Sequence, residues 1–299
     1  VEPEVYAKRA NQFIRAMKAV DPSIVTGIPL RSDKIGAVPA TPFQGFNDKV
    51  LAGVTEPFEF VALHNAYLPI IWDAKKSYGE EDVYRATMAS YRVVEDDLEF
   101  TRSLLQKYRP GQPLKIAITE YNALYSIGGN RDDYIGTLAS ALYVGDLLRV
   151  LAGTDDLLMA NFWSLNGNWF FGSFSNRSEP RPAYHVLAAY DRALHGRLVP
   201  SQVTSPTFAT PIVGAVAAYS GLPLLTSLAT IDGDVLRVVV INKDAGRAAL
   251  LSLQGPTRAI SSIQSTEIGG ADRFRSKTPV APKKSELAAK GFPLPLQVA

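Results

Sequence analysis

The sequence predicts an α/β protein in which strands and helices alternate over the first two thirds and an antiparallel β-sandwich follows. Three observations support this fold class. Four apolar, strand-like runs alternate with amphipathic helices, these runs are apolar almost throughout, and after about residue 200 short β-rich runs are separated by turn residues. Alternating strands and helices form parallel sheets with helical crossovers, and continuously apolar strands are typical of sheets covered on both faces.

The helices are predicted from apolar residues that recur every three or four positions. The first covers residues 5–20, with one apolar face made of Tyr6, Ala10, Phe13, Met17 and Val20. A long helix over residues 82–108 keeps the same period along Tyr84, Met88, Tyr91, Val94, Leu98, Thr101 and Leu105. Two further helices are predicted over residues 134–151 and 182–194.

The four parallel strands are predicted from their β-branched and apolar composition, at residues 24–28, 58–64, 114–119 and 157–163. We place the domain boundary near Val199-Pro200, so that residues 1–199 form the α/β domain and residues 200–299 the β-sandwich. Within the second domain, Asp232-Gly233-Asp234 joins two β-rich segments, which is a typical hairpin signal.

Composition excludes several classes of protein. The 299 residues are 46% hydrophobic and 20% charged, as in soluble globular proteins, and the formal net charge is only +2 without a Lys/Arg-rich block, so we expect no nucleic-acid partner. The absence of cysteine excludes disulfides, thiol nucleophiles and Cys-ligated zinc. No apolar run approaches the length of a membrane span, so we expect no membrane association. The compartment, cytoplasmic or secreted, stays open.

Motif searches exclude further chemistry. The three histidines do not fall in an H-E-x-x-H or similar metal-ligand spacing, so we expect no metal site and no cofactor. The sequence contains no G-x-S-x-G elbow, no Walker motif and no dinucleotide fingerprint. Serine hydrolase and nucleotide chemistry are therefore not predicted.

Polar and aromatic residues collect instead where the predicted strands end. The second strand ends in HNAYLPIIW, with His64, Asn65, Tyr67 and Trp72; the third ends in TEYN, with Glu120, Tyr121 and Asn122; the fourth ends in NFWSLNGNWFFG, with Asn161, Trp163, Asn166 and Trp169. Parallel barrels place their chemistry at these ends. A carboxylate surrounded by aromatic rings and amides is suited to sugars, because rings stack on sugar faces and amides bind hydroxyls.

Five segments of the chain resemble, in their order, the α-L-arabinofuranosidases of glycoside hydrolase family 51, which are retaining clan-A enzymes. They are VYAKRANQFIRAMKAVDPSIVTGI, FEFVALHNAY, KIAITEYN, ALYVGDLLRVLAGTDDLLMANFW and RPAYHVLAAYDRALHGRLVPSQVTSPTFA. The segment LPLLTSLATIDGDVLRVVVINKD resembles the C-terminal β-sandwich of that family. The resemblance implies a fold made of the C-terminal half of a (β/α)8 TIM barrel followed by an antiparallel β-sandwich.

The resemblance also implies roles for particular residues. Glu120 matches the catalytic nucleophile at the end of barrel strand seven, and His64 matches the active-site histidine at the end of strand six, with Tyr67 nearby. Trp163 matches strand eight. The predicted substrate-binding residues are His64, Tyr67, Asn122, Trp163 and Asn166.

The chain departs from the family at its start. The family's acid/base Glu follows strand four, so the resemblance implies that barrel strands one to four and this Glu lie outside the chain. We expect the missing half from a second polypeptide, a parent chain or an oligomer. Two alternatives to the arabinofuranosidase stay open. They are another clan-A glycosidase, such as a β-xylosidase or endoglucanase, and a non-catalytic carbohydrate-binding fragment.

Overall fold

A computed structural model describes residues 1–32, 45–64, 66–129, 132–166, 170–255, 260–270, 281–288 and 292–298, apart from the side chains of residues 66, 67, 132 and 133. Its helices are α1 (Pro3–Val20), α2 (Phe46–Gly53), α3 (Glu80–Tyr108), α4 (Asp132–Ile135), α5 (Leu138–Ala152) and α6 (Pro182–Ala193). The strands of the first domain are β1 (Gly27–Arg31), β2 (Phe60–His64), β3 (Ala66–Asp73), β4 (Lys115–Ile127) and β5 (Leu157–Phe162).

The first domain is built on one parallel sheet. Strand β2 pairs with β1 on one side and with the first half of β4 on the other, and β5 pairs with the opposite side of β4. Helices cover one face of this sheet, where Ile28, Val61, Leu63, Ile116 and Ile118 are buried. Strands β1, β2 and β5 end at one edge of the sheet, as the alternating pattern predicted, while β4 continues past that edge.

Helix α3 buries the face that its sequence predicted. All seven residues of that face, from Tyr84 to Leu105, are buried. Burying a large apolar side chain contributes roughly 1.5–3 kcal/mol, so this 29-residue helix anchors the core behind β3 and β4.

The prediction for α1 was wrong about the buried face. The helix buries Pro3, Ala7, Ala10 and Ile14, while Phe13 is 65% exposed and Met17 and Val20 are exposed as well. Small residues face the neighbouring helix α2 because the two helices pack closely, and the larger apolar residues form an exposed stripe.

Two elements were not predicted. They are the short helix α2 and the strand β3, which contains Pro69. Strand β4 is also longer than predicted and continues past Glu120 to Ile127, because its second half pairs with β3. The helix predicted over residues 134–151 is divided into α4 and α5, and the hydroxyl of Thr137 caps the second of them.

The second domain is antiparallel. Its strands are β6 (Arg197–Val199), β7 (Thr207–Thr210), β8 (Tyr219–Pro223), β9 (Leu225–Asp232), β10 (Val235–Asn242), β11 (Ala249–Leu253), β12 (Ile263–Glu267), β13 (Lys283–Leu287) and β14 (Leu294–Val298). The predicted hairpin joins β9 to β10, and Gly233 has the positive φ of 55° that its tight turn requires. Strand β6 pairs with β9, so the antiparallel pairing begins just before the predicted boundary.

A buried ion pair joins the parallel and the antiparallel parts of the chain. Lys243 Nζ, just after β10, lies 2.8 Å from the carboxylate of Asp146 on α5, and Arg149 Nε lies 2.6 Å from the same carboxylate. Thr226 of β9 donates a further hydrogen bond to Asp146 at 2.9 Å. Because Asp146 and Lys243 are both buried, each depends on the other for compensation of its charge.

Candidate functional site

Glu120 lies at an irregularity in β4. Ile118 pairs with Ala160 of β5 and Tyr121 pairs with Phe162, so β4 advances three residues where β5 advances two. This is the count of a β-bulge, in which one extra residue re-aims the neighbouring side chains. Ile118 and Tyr121 both face the helices and are buried, which leaves Thr119 and Glu120 together on the opposite, partly open face.

The bulge brings Glu120 beside His64 of β2. His64 Nε2 lies 3.9 Å from Glu120 Oε2, and the two side chains are 53% and 28% exposed. The hydroxyl of Thr119 donates to the carbonyl oxygen of Leu63 at 3.1 Å. With its hydrogen used in this way, the hydroxyl accepts a hydrogen bond from Nδ1–H of His64 at 3.2 Å, so the Nε2 edge of the ring faces Glu120.

Asn122 holds the loop that follows β5. Its side-chain NH₂ donates to the carbonyl oxygen of Trp163 and, at 3.0 Å, to that of Phe171, while its side-chain oxygen accepts from the N–H of Ala123 at 2.7 Å. Asn122 is 1% exposed, and its hydrogen bonds position the loop that carries Trp163. Its predicted part in substrate binding stays a prediction.

Trp163 and Asn166 lie on that loop and are both exposed, Trp163 to 39%. The loop is braced further along, since Ser173 donates from its hydroxyl to Leu165 at 2.7 Å and Arg181 donates to Gly172 at 2.8 Å. The indole of Trp163 thus has an exposed ring on a loop fixed from two directions, at the edge of the sheet where Glu120 lies.

Three of the remaining predicted residues fall outside the described part of the site, whereas Trp72 and Asn161 are described and exposed. Asn65, Trp169 and the side chain of Tyr67 are not described, so their predicted positions beside Glu120 stay predictions. Thr119 was missed by the sequence reasoning, because a Thr at the end of an apolar strand carries no signal of its own.

Tyr121, the residue after Glu120, has a buried phenol that stays neutral. Burial raises the pKa of Tyr121, whose ring packs edge-on against Phe162 with 5.5 Å between the ring centroids.

Among the described residues, no group of three or more His, Cys, Asp or Glu could hold a metal ion. No helix in the same residues is long and apolar enough to cross a membrane.

Several solved structures of glycosidases match this fold. The thermostable family 51 α-L-arabinofuranosidase from Thermotoga petrophila RKU-1 matches with a TM-score of 0.78 and 18% identity, over 100% of this chain and 60% of its own. The α-L-arabinofuranosidase from Thermotoga maritima, in its arabinose complex, matches with a TM-score of 0.75, 18% identity and the same coverage. The chain has the fold of family 51 arabinofuranosidases.

A second group of matches is more distant. The family 44 xyloglucanase of Paenibacillus polymyxa has a TM-score of 0.58 and 16% identity, over 100% of this chain and 59% of its own. No protein-family model matches the sequence, and a comparison with curated proteins also gives no match. The predicted fold class is thereby confirmed, and the chain spans about 60% of the length of the structures it matches.

Proposed function

We propose that this chain carries the nucleophile of a retaining glycoside hydrolase that acts on α-L-arabinofuranosides. The observation that carries the proposal is the bulge in β4, which turns Glu120 toward His64 at the edge of the sheet where the parallel strands end. Chemistry in parallel α/β folds lies at this edge. The partly exposed carboxylate and the exposed ring of Trp163 supply a nucleophile and a surface for a sugar ring.

In the proposed mechanism, Glu120 attacks the anomeric carbon and forms a covalent glycosyl-enzyme. A retaining enzyme needs a second carboxyl group, roughly 5 Å from the first, which protonates the leaving oxygen and then activates water. General-acid help of this kind is worth roughly 10²–10⁴-fold in rate. His64 and Thr119 would keep the attacking carboxylate in place, and Asn122 would keep the loop of Trp163 in place.

The second carboxyl group would come from a further half-barrel. In the described part of the chain, β1 and β5 each pair with only one strand of the parallel sheet, and Leu158 and Met159 of β5 are exposed. The stripe of Phe13, Met17 and Val20 on α1 is also exposed. Further strands and helices would cover these surfaces, as a closed barrel requires.

An arabinofuranoside is preferred over other sugars because of the fold comparison. The family 51 arabinofuranosidases match with TM-scores of 0.71–0.78, while the family 44 xyloglucanases reach 0.57–0.58. The second candidate, an endo-acting clan-A glycosidase, is kept because those xyloglucanases still match across the whole chain.

Replacing Glu120 by Gln in the barrel-complete protein tests the proposal. The amide keeps the shape of the side chain but is a poor nucleophile, so hydrolysis of aryl α-L-arabinofuranosides should fall by at least about 10³-fold while arabinoside binding persists. Unchanged turnover would remove Glu120 from the mechanism. Matching aryl β-xylosides and glucan oligosaccharides, assayed in parallel, separate the two candidate activities.

A further inference from the structure

We propose that a turn of the antiparallel part, at residues 213–216, is a positioning element of the candidate site, because it holds β3 and thereby the segment that carries His64. The turn lies between β7 and β8, and backbone hydrogen bonds of 3.0 Å in both directions between Val213 and Val216 close it. Both valines are 0% exposed. The inference rests on the proposed function, since it concerns how the same site is held together.

Strands β2 and β3 follow each other along the same edge of β4. Leu63 of β2 pairs with Ile118 before the site, and Ala66 of β3 pairs with Tyr121 after it. His64 lies between these two pairs on one side, and the candidate nucleophile of β4 lies between them on the other. The backbone of His64 is therefore held beside the site by β2 before it and by β3 after it.

The pairing of β3 with β4 is irregular just beyond the site. Tyr67 pairs with Asn122 and Ile70 pairs with Leu124, so β3 advances three residues where β4 advances two. Pro69 lies in this interval, and a proline has no N–H to donate to a neighbouring strand. The pairing with β4 is therefore weakest between the site and the rest of β3, and a second contact at this point would fix the strand.

The turn at residues 213–216 supplies that second contact. Ala215 donates its backbone N–H to the carbonyl oxygen of Ile70 at 2.8 Å. Gly214 donates its N–H to the hydroxyl of Tyr78 at 3.3 Å, and Tyr78 donates its own N–H to the carboxylate of Asp73 at 2.9 Å. Because Asp73 is the last residue of β3, the turn is bonded to this strand directly at Ile70 and, through Tyr78, at its end.

The turn approaches β3 so closely that the contact requires glycine. Gly214 has a φ of 58°, and a Cβ at that position would overlap the carbonyl oxygen of Ile70 and lie 2.9 Å from the Cα of Ile71. The turn cannot withdraw freely, because Val213 and Val216 on either side of the contact are buried. A side chain at position 214 would therefore displace β3, and the displacement would reach the site through the first residues of that strand.

The test compares the wild type and G214A in the barrel-complete protein. With an aryl α-L-arabinofuranoside, kcat should fall by about tenfold while KM changes by less than about twofold, because a displaced group loses its alignment in the transition state rather than its binding of the substrate. The ring-nitrogen NMR shifts of His64, assigned by their loss in H64Q, should move as well. A merely structural role of the turn would lower the stability without moving either readout in the folded protein.

G221A is the matched control. Gly221, in β8, also has a positive φ, of 69°, but no atom of the described residues lies within 4 Å of a Cβ at that position. The control variant therefore carries the backbone strain of G214A without its clash. It should keep the kcat and the His64 shifts of the wild type.

V216A decides the question if G214A does not fold. It loosens the packing of the turn without a clash, and it should lower kcat by about threefold and move the His64 shifts. L228A, which truncates a buried side chain of β9, is its control and should do neither.

The inference is overturned if the folded G214A, or V216A in its place, leaves the His64 shifts where the wild type has them, or if the control variants move these shifts equally. Failure of the proposed function would look different. Movement of the His64 shifts by G214A in a protein that hydrolyses no arabinofuranoside would support the positioning and remove only the proposed activity.

Discussion

His64 Nε2 lies 3.9 Å from Glu120 Oε2. The two residues belong to neighbouring strands, and neither would face the other without the extra residue in β4. The distance is longer than a direct hydrogen bond, and both side chains reach solvent. This pair therefore lies at an accessible edge of the sheet, as an incoming sugar would require.

Replacing Thr119 by Val should loosen His64. The substitution removes the hydroxyl that links His64 Nδ1 to the carbonyl oxygen of Leu63, and it should lower the free energy of unfolding by about 1 kcal/mol. A similar loss of positioning would slow the formation of a glycosyl adduct on Glu120 by about fivefold. Ring-nitrogen NMR shifts of His64 measure the loosening of the imidazole, denaturant titration measures the free energy of unfolding, and adduct kinetics measure the slower reaction of Glu120.

The T119S variant is the control for this prediction. It keeps the hydroxyl and should retain both the NMR signature of His64 and the adduct rate. If T119V left the His64 ring shifts unchanged, the hydroxyl would not hold the imidazole.

Replacing Asn122 by Ala should destabilise the loop after β5. The change removes the side-chain donor to the carbonyl oxygens of Trp163 and Phe171, so the free energy of unfolding should fall by about 2–3 kcal/mol. Urea denaturation measures this loss. N166A, on the exposed part of the same loop, should stay within about 0.5 kcal/mol of the wild type. Equal effects of the two variants would show that the bonds of Asn122 do not brace the loop.

Replacing Asp146 by Asn should weaken the contact between the domains. The carboxylate compensates the buried charge of Lys243, so at neutral pH the variant should lose about 3 kcal/mol of unfolding free energy. Denaturant titrations of the wild type and of D146N measure it. D191N, which changes an exposed carboxylate on α6, is the control and should differ from the wild type by less than about 0.5 kcal/mol.

The difference between D146N and the wild type should depend on pH. Burial alone would raise the pKa of Asp146, but Lys243 and Arg149 outweigh burial and hold the pKa below its ordinary value. A carboxyl group whose pKa is lower in the folded protein stabilises the fold fully at pH values above its pKa in the unfolded chain, which is about 3.9. This stabilisation is lost as the pH falls through the pKa of the group in the folded protein. The gap between the two proteins should therefore narrow below about pH 4. A gap that widened there would contradict the ion pair.

The pattern of apolar residues predicted the large elements because their partners lie within the chain. The face of α3 from Tyr84 to Leu105 is buried as its spacing indicated. The same reasoning failed for Phe13, Met17 and Val20 of α1, which are as regularly spaced but exposed. Periodicity identifies an apolar face but does not reveal whether the described chain contains the surface that would cover it.

The sequence indicated residues of the candidate site but not their geometry. The sequence indicated Glu120 and His64, because both follow apolar strands. The bulge that turns Glu120 toward His64 depends on pairing between β4 and β5, and pairing across distant segments is invisible in the local sequence. The same limit applies to β3, which is a strand because it pairs with β4, and this pairing was not predicted.

The exposed surfaces of the first domain predict a partner for barrel closure. Native and denaturing mass spectrometry of the protein from its source should find either a second polypeptide bound to this chain or a heavier parent chain. A lone species of 32.5 kDa, or simple multiples of it, would contradict a separate half-barrel.

The central claim is that Glu120 attacks an arabinofuranosyl carbon, and an activated aryl arabinofuranoside tests it most directly. Its leaving group departs without a proton, so the covalent intermediate should form slowly on this chain. It should persist because, in the proposed mechanism, the acid/base group that speeds its hydrolysis comes from a further half-barrel. Peptide mass spectrometry should locate one pentosyl group on Glu120, and E120Q should carry none. A pentosyl group on another residue, or an equal yield in E120Q, would contradict the account.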